Sequence, residues 1–486
     1  MKKTTALSLL LLGILWIQPL YSKIKLPAVI SSNMVLQRNS EVNIWGWADV
    51  GERINVETSW LNQPFTIKTG TDGKWSLTLK TTNDKTPQTI KLGSESSSIL
   101  LENILFGEVW LCSGQSNMEQ PVRGYYGQPT FGGQDAILDS KNSQIRLFTV
   151  HKAGSKTPLE DLGEYTAWEE ATPSNVSDFS AVGYFFGKRL QEILDCPVGI
   201  INTSYGASHV ETWMSFEELS KYQNIELDNY DIDENTFRIP TALYNAMIKP
   251  LIPYTIQGAL WYQGESNRFK PQEYKTLFPA MVKQWRTDWN IGNFPFYFAQ
   301  IAPFSYWEDP DNTEFNTAVN SAFMREAQVE CAELIPNSGI AITTDLGDKN
   351  CIHPPKKREV ADRLLLHALH KTYHQGIDCE SPSFDRLTKE KDGLRLTFKN
   401  NNSGLYSSQN DISGFEIAGD DKVFYKANAR IVNYGEVFVK SEHVKNPVAV
   451  RYAWRNWVVG TLYGSNMLPV SSFRTDTWEN ARLHKD

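Results

Sequence analysis

Apolar and polar positions divide the chain into three stretches with different periods. From residue 23 to about 106, short runs such as 42–47 alternate apolar and polar residues, and Gly-, Asn- and Asp-rich turns separate them. Farther along, apolar strand candidates alternate with helical periods, and near the end the short alternating runs return, as at 394–398. The pattern predicts a β-sandwich domain over 23–106, an α/β domain over 107–375 and a C-terminal β domain over 376–486.

The middle stretch has the alternation of a parallel sheet covered by helices on both faces. Apolar runs of strand length predict strands at 109–112, 198–202, 258–262, 296–301 and 340–344. Between them, helical spacing places two sets of apolar residues on one face each: Val182, Phe185, Phe186 and Ile193, then Phe278, Met281, Val282 and Trp285. Ligands of such sheets bind beyond the carboxyl ends of the strands, so we expect the chemistry in the turns that follow them.

The first of these turns is Gly114-Gln115-Ser116-Asn117-Met118. A serine at a sharp strand-to-helix turn projects its hydroxyl into a cleft, and its own N–H faces the point where a carbonyl oxygen becomes an oxyanion. Ser116 is therefore the candidate nucleophile. The alternative is a turn that only caps a helix.

Two later turns supply candidate donors for an oxyanion. Gly206 follows a predicted strand directly, where a glycine lets the backbone approach a ligand and offer its N–H. The neighbouring amide of Ala207 is the alternative donor, and a plain β-to-α turn is the alternative interpretation. After the next strand, Gln263 offers a neutral side-chain amide that can donate, with Asn267 as the second choice. Glu265 is expected to hold this loop by hydrogen bonds.

His353 is the candidate general base among eight histidines, because it lies on a polar loop after the last predicted strand. His367, His370 and His374 lie on or after the following helix, where histidines are usually surface or core residues. His209 follows the Gly206 turn too closely to share its task easily.

The amino-acid composition limits the classes of partner that the protein is expected to bind. The chain of 486 residues is long enough for two or three domains, with 41% hydrophobic and 21% charged residues as in ordinary globular proteins. A net charge of -8 without clustered Lys and Arg excludes the usual basis for binding nucleic acid or an anionic membrane. The 15 Trp and 20 Tyr supply rings that can stack on sugars, although most such rings fill cores.

The first 22 residues predict a secretory signal peptide, since Lys2-Lys3 precedes an apolar run and a polar start follows Ser22. We therefore expect an exported, periplasmic or extracellular protein without a membrane anchor, with a charge of about -10 once both lysines are removed. Five cysteines without C-x-x-C spacing indicate neither a disulfide scaffold nor a zinc site. An exported protein can form one disulfide, and the sequence does not identify the pair. No metal or organic cofactor is expected.

Three segments together, 114–118, 261–267 and 352–354, resemble the sialate O-acetylesterase family of the SGNH/GDSL hydrolase superfamily. Flanking segments also look like that family, at 34–38, 45–47, 108–111 and 450–454. The resemblance implies a three-layer α/β/α catalytic domain flanked by β domains and an acetyl-ester hydrolase. It also implies Ser116 as nucleophile, His353 as base, and an oxyanion hole formed by the Ser116 N–H, the Gly206 turn and Gln263.

One position departs from the superfamily pattern. An Asp commonly stands three residues before the catalytic His, but this chain has Asn350 there. A neutral Asn can orient an imidazole but cannot stabilise imidazolium with a full charge. Asp348 is our preferred third member, while Asp345 or a backbone carbonyl remain alternatives.

An O-acetylated glycan is the expected substrate. Sialic acid esters are the family's namesake, while acetylated xylan, xyloglucan or mannan would suit the same machinery. A sialic acid carboxylate would need a well-placed Arg, and Arg123 is considered only because it follows Ser116 closely. A carbohydrate-binding protein without activity is the alternative from another class. The sequence predicts no oligomeric state.

Overall fold

The computed structural model describes residues 23–306 and 315–484, except residues 96, 226, 228–231, 233–235, 479 and 480, and without the side chains of 315–319. The predicted signal peptide, residues 1–22, lies outside the described residues. No helix in the described part of the chain combines the length and the apolar character needed to cross a membrane.

The N-terminal region is built from short strands whose buried and exposed residues alternate, as the sequence predicts. Its strands are β1 (Val35–Gln37), β2 (Glu41–Trp47), β3 (Arg53–Thr58), β4 (Phe65–Lys68), β5 (Lys74–Lys80), β6 (Gln88–Gly93) and β7 (Ser98–Gly114). Strands β2 and β5 pair antiparallel, and β3 lies between β4 and β6. Valine and isoleucine side chains on the inner faces of these strands, such as Ile44 and Val56, are fully buried.

Strand β7 joins this region to the central sheet without a break. Its first part pairs with β6, and its last part, from Glu108 to Gly114, pairs with two strands of the central sheet. The predicted boundary at residue 107 therefore lies inside one strand of 17 residues. A continuous strand transmits the position of the N-terminal region directly to the turn that follows Gly114.

The central sheet confirms the predicted parallel arrangement. Its further strands are β8 (Asn142–Val150), β9 (Tyr165–Ala171), β10 (Val198–Ser204), β11 (Gly258–Tyr262), β12 (Phe296–Ala299) and β13 (Ser338–Ala341). The order is β13-β12-β11-β7-β10-β8-β9, and every pair is parallel except β8 with β9. The last predicted strand begins at Ser338 and ends at Ala341, whereas 340–344 was expected. The sequence pattern predicts neither β8 nor β9, because both include several polar residues; β9 is the edge strand, and β8 lies between β10 and β9.

Helices cover both faces of the sheet. They are α1 (Ser116–Glu119), α2 (Gly133–Leu138), α3 (Pro173–Ser177), α4 (Ala181–Leu194), α5 (Phe216–Leu219), α6 (Pro271–Trp289), α7 (Phe315–Leu334) and α8 (Lys357–His367). Residues of α4 and α8, such as Phe186 and Leu364, share a core with Leu260, whereas Trp285 of α6 packs with Trp261 on the other face. Both predicted apolar helix faces are therefore confirmed, except that Ile193 is 37% exposed.

The C-terminal region is a second β module, as predicted. Its strands are β14 (Ser383–Glu390), β15 (Gly393–Lys399), β16 (Leu405–Tyr406), β17 (Phe415–Ala418), β18 (Val423–Lys426), β19 (Asn428–Val432), β20 (Glu436–Lys440), β21 (Ala449–Tyr452), β22 (Tyr463–Gly464), β23 (Phe473–Arg474) and β24 (Arg482–Leu483). Fully buried Arg325 of α7 ties this module to the central region by donating to the carbonyl of Ala453 at 3.1 Å and to Ser472 Oγ at 2.7 Å.

Candidate active site

The turn after β7 positions Ser116. Gly114 has φ of +135°, and a Cβ there would lie 2.2 Å from the Tyr262 carbonyl oxygen, so only glycine fits this close approach to β11. The next amide, of Gln115, donates to that same Tyr262 oxygen at 2.9 Å. Ser116 then occupies the first helical position of α1, where its N–H has no acceptor in the described part of the chain. The Ser116 N–H is therefore left free by the described residues at the strand-to-helix turn.

His353 lies in the loop before α8 and faces the segment that follows α1. Its Nδ1 is in hydrogen-bond contact with Gln128 Oε1. Since an amide oxygen only accepts, Nδ1 carries the proton and Nε2 is left as an acceptor. The Tyr125 ring stands edge-on to the imidazole at 5.3 Å between centroids, and the Tyr125 hydroxyl donates to the Ser116 carbonyl at 3.4 Å. We call Ser116, Tyr125, Gln128, Gly206 and His353 the Ser116 site.

Asn117 connects the serine turn with the histidine loop. Its Nδ2 donates to the Ile352 carbonyl at 3.1 Å and to Glu265, and its Oδ1 accepts from the Lys357 ammonium. Asn117, Glu265 and Lys357 are all buried. The residues next to Ser116 and next to His353 are therefore in direct contact, although they are separated by 235 positions in the sequence.

Aspartates of the same loop are engaged elsewhere. Asp348, our preferred third member, accepts the backbone N–H groups of Asn350 at 2.8 Å and Cys351 at 3.1 Å, which stabilises the turn itself. Asp345 forms a bidentate ion pair with Arg363, with both distances 2.7 Å. In this structure the partner of His353 Nδ1 is Gln128, and the role predicted for Asp348 would require its carboxylate to leave the turn.

The Gly206 turn lies against the serine, but its amide is occupied. A Cβ built on Gly206 would lie 3.5 Å from Ser116 Cβ, which places the two residues in contact. The Gly206 N–H donates to Glu119 Oε2 at 2.7 Å, and Lys152 pairs with Glu119 Oε1 at 2.6 Å. The N–H of Ala207, the alternative donor, has no acceptor among the residues the structure describes. Without movement of Glu119, Ala207 is the freer donor.

Gln263 is buried, and its side chain is hydrogen-bonded within the protein. Its Nε2 donates to the Ser208 carbonyl at 3.0 Å and to Asn267 Oδ1 at 2.7 Å, which uses both amide hydrogens. Asn267, the second choice, donates to Glu211 at 3.0 Å. The structure therefore does not present Gln263 as a free oxyanion donor, and such a role would require it to leave both acceptors, whereas Asn267 Nδ2 donates only one of its two hydrogens. Glu265 accepts from Asn117, which agrees with the loop-holding role predicted for it.

Burial and a nearby charge set the protonation state of His353. Burial lowers the pKa of the His353 imidazole to about 4, and the nearby Lys357 ammonium acts in the same direction. Burial also lowers the pKa of Lys357 to about 7, against the opposing effect of Glu265, whose own pKa is raised by burial. The His353 imidazole is thus neutral at neutral pH, which is the state a general base requires.

Sequence reasoning missed several residues around this site: Asn117, Glu119, Gln128, Lys152 and Lys357. Asn117 and Glu119 lie beside the serine in the sequence, so their proximity could have been noted. Gln128 and Lys152 lie in loops without a motif, and Lys357 has the pattern of an ordinary surface residue at the start of a helix. No local signal marks these three.

A possible metal-binding group lies away from this site. Within the described residues, the one cluster of potential ligands is His367, Cys379 and Glu380, and its Glu380 already pairs with Lys371 at 2.8 Å. All five cysteines are free thiols in the structure. No residue of the Ser116 site belongs to the cluster.

A largely parallel sheet with polar residues gathered beyond the carboxyl ends of its strands has the architecture of α/β hydrolase-like enzymes. Residues 107–353, which include the strand ends and the histidine loop, match the family model described as carbohydrate esterase, sialic acid-specific acetylesterase. The protein is accordingly a carboxylic ester hydrolase. The matched residues make up half of the chain, and the chain belongs to the sialic acid-specific acetylesterase family of carbohydrate esterases. The resemblance found in the sequence motifs is confirmed.

Relatives match along nearly the whole chain. The sialate O-acetylesterase of Mus musculus is 28% identical over 514 residues, covering 91% of this chain and 93% of the relative. The Homo sapiens sialate O-acetylesterase is 27% identical over 468 residues, covering 88% of this chain and 87% of the relative. The crystal structure of a carbohydrate acetylesterase from Xanthomonas citri superposes with a TM-score of 0.85 at 34% identity, covering 94% of this chain and 100% of that one. The similarity therefore includes the flanking β modules.

Proposed function

We propose that this protein is an exported esterase that removes O-acetyl groups from sugars through a Ser116 acyl-enzyme, on a three-layer SGNH-type catalytic domain. The contact that supports this most directly is the Asn117 bridge to the Ile352 carbonyl, because it joins the serine turn to the histidine loop. The family match supports the ester and the sugar. Export rests on the signal-peptide pattern of residues 1–22.

In the proposed mechanism, Ser116 Oγ attacks the acetyl carbonyl while His353 Nε2 accepts its proton. The N–H of Ser116 and an amide of the 205–207 turn stabilise the oxyanion. His353 then gives the proton to the departing sugar hydroxyl, and water hydrolyses the acetyl-enzyme by the reverse route. Gln128 replaces the usual carboxylate as the group that orients the imidazole. Its neutral oxygen fixes the tautomer with Nδ1 protonated but adds no full negative charge.

Sialic acid esters are the first proposed substrate, because the curated relatives are named for them. An acetylated neutral hemicellulose is the second candidate, and one observation favours it. Arg123, the residue considered for a sialic acid carboxylate, is in an ion pair with Asp178. The experiment is acetate release from acetylated sialosides, xylan, xyloglucan and mannan oligomers. Release from none of them, with intact folding, would contradict the proposal.

The lowered pKa of His353 predicts how the activity depends on pH. Because the base must be neutral to accept a proton, and because its pKa is about 4, we expect kcat/KM on an aryl acetate to stay high down to about pH 4. An unperturbed histidine would give an acid limb near pH ~6.5. Replacing Lys357 with Met removes a positive charge near the imidazole, which should raise the pKa of His353. The acid limb of the kcat/KM profile should therefore move to higher pH. A wild-type limb near pH ~6.5 would show that His353 is not desolvated, or is not the base.

Lys152 is expected to protect the oxyanion from the charge of Glu119. The carboxylate lies beside the Gly206 amide, so its charge opposes the oxyanion unless the Lys152 ammonium neutralises it. Lys152→Met should lower kcat up to about fivefold, a modest effect because Lys152 is half exposed.

The matched test is the double variant. Adding Glu119→Gln to Lys152→Met should recover most of the lost kcat, because the uncompensated charge is then gone. Additive losses in the double variant would show that Lys152 and Glu119 act independently, which would contradict this role for Lys152.

A further inference from the structure

A cavity of about 700 Å³ lies between the N-terminal β strands and two segments of the central region, 158–160 and 249–253. Its volume falls within the range of small-molecule and cofactor sites. Neither Ser116 nor Gln128 nor His353 lines it. The cavity is thus separate from the Ser116 site.

Three tryptophans form much of its wall. Trp45 and Trp47 alternate with Gly46 on β2, and both rings are half-buried. Trp75, on the paired strand β5, lies over Gly46, where a Cβ would come within 2.9 Å of the Trp75 ring. The absence of a side chain at Gly46 therefore leaves room for the Trp75 ring, which lies on the face of the β2–β5 pair opposite to Trp45 and Trp47.

One polar atom in this wall lacks a partner. Trp75 is 3% exposed, and its Nε1 finds no hydrogen-bond acceptor in the described part of the chain. By contrast, Trp47 Nε1 donates to Glu160 Oε2 at 3.2 Å. An unpaired buried N–H costs free energy. Because the Nε1 atom is itself buried, the Trp75 ring has to turn toward the cavity before an accepting group of a ligand can recover that cost.

Charges in the wall favour a neutral ligand. The charged residues that line it are three lysines and two acids: Lys68, Lys74, Lys249, Asp72 and Glu160, of which Lys74 pairs with Glu160. Outside the lining residues, Lys25 pairs with Asp161 at 3.3 Å beside the Trp47 ring. Charges of both signs alternate here, so the wall offers flat rings with dispersed polar groups and no concentrated charge. Aromatic faces for C–H groups together with scattered donors and acceptors match a polyhydroxylated sugar chain, whereas an anion or a lipid would need a concentrated charge or an apolar wall.

We propose that this cavity, defined by Trp45, Trp47 and Trp75, binds a neutral oligosaccharide segment as a second glycan site. The inference rests on the proposed function with hemicellulose as the substrate, since the occupant is the neutral polymer that carries the acetyl esters. Binding there would hold an acetylated polymer on the enzyme while the Ser116 site acts on another part of it, and would lower KM for polymers without affecting small esters.

The test uses the full-length Ser116→Ala protein and titrates deacetylated xylohexaose, cellohexaose and mannohexaose by calorimetry. We expect saturable binding of at least one, with Kd raised about 10-fold by Trp45→Ala. Trp75→Phe keeps a ring but removes Nε1, and should weaken binding too. Trp60→Phe is the matched control, because Trp60 lies in the same region but donates to the Lys80 carbonyl, away from the cavity.

The same substitutions in the enzyme with Ser116 intact provide the second measurement. Trp45→Ala should raise KM for an acetylated polymer and leave kcat/KM on p-nitrophenyl acetate unchanged. No saturable binding, or equal affinity in the Trp45, Trp75 and Trp60 variants, would overturn the second site. Failure of the proposed function is a separate result, namely no acetate release from any ester by the enzyme with Ser116 intact.

Discussion

Ser116→Ala is expected to lower acetate release from an aryl acetate or an acetylated sugar by about 10⁴-fold or more. The reason is that Ser116 is the only group proposed to form a bond to the acetyl carbon. Its hydroxyl lies at the start of α1 in a turn fixed by Gly114 and by the Gln115 hydrogen bond to Tyr262. The change removes one oxygen atom and leaves that turn intact, so the melting temperature should change little. The measurement is acetate release with thermal unfolding in parallel.

Ser266→Ala provides the matched control. Ser266 lies on the neighbouring loop, and its backbone N–H, which alanine retains, contacts Gln115 Oε1 at 3.4 Å. We expect this variant to keep wild-type activity. Retained activity in Ser116→Ala would remove Ser116 from the mechanism.

Gln128→Ala is expected to lower kcat by about 10²-fold with little change in KM. Without the Gln128 oxygen, the His353 ring loses the acceptor that selects its tautomer, while substrate contacts are unchanged. The loss should be smaller than that from removing a triad aspartate, because a neutral amide supplies orientation but little charge stabilisation.

Two further variants separate orientation from general damage. Gln128→Glu restores an acceptor and adds a negative charge, so it should recover activity and raise the acid limb of the pH profile by stabilising imidazolium. Asp348→Asn is the comparison, because Asp348 accepts two backbone amides of its own turn. We expect it to cost far less than Gln128→Ala. The reverse order would restore Asp348 as the third member.

Much of the architecture was predictable because it follows from the spacing of apolar residues within short segments of the chain. The buried run 258–262 became β11 with the same bounds, and the spacing of Phe278, Met281 and Trp285 became the inner face of α6. Strand β8 gives no apolar signal at its start, because Asn142 and the next two residues are polar and not fully buried, and its pairing with β10 begins only at Ile145. A hydrophobic period reports burial, so a partly exposed strand gives a weak signal.

The candidate site was predictable only in part. Ser116 and His353 were identified from turn position, strand order and motif resemblance, and their segments do meet. The oxyanion donors depend on side-chain orientation, since a side-chain amide such as that of Gln263 can turn toward several acceptors. In the structure it turns inward to the Ser208 carbonyl. Sequence position cannot distinguish these orientations, because they depend on which acceptors packing leaves unpaired.

The sequence by itself determined the alternation of five parallel strands with helices, the family, and the turn that places Ser116 at a strand end, because these depend on residues near one another in the chain. Only the tertiary structure decided that His353 contacts Gln128, 225 positions away, and that Glu119 occupies the Gly206 amide. These pairings are contacts between separate loops. Which residues pair depends on how the sheet brings these segments together. Local sequence propensities do not encode the distance between segments that are far apart in the chain.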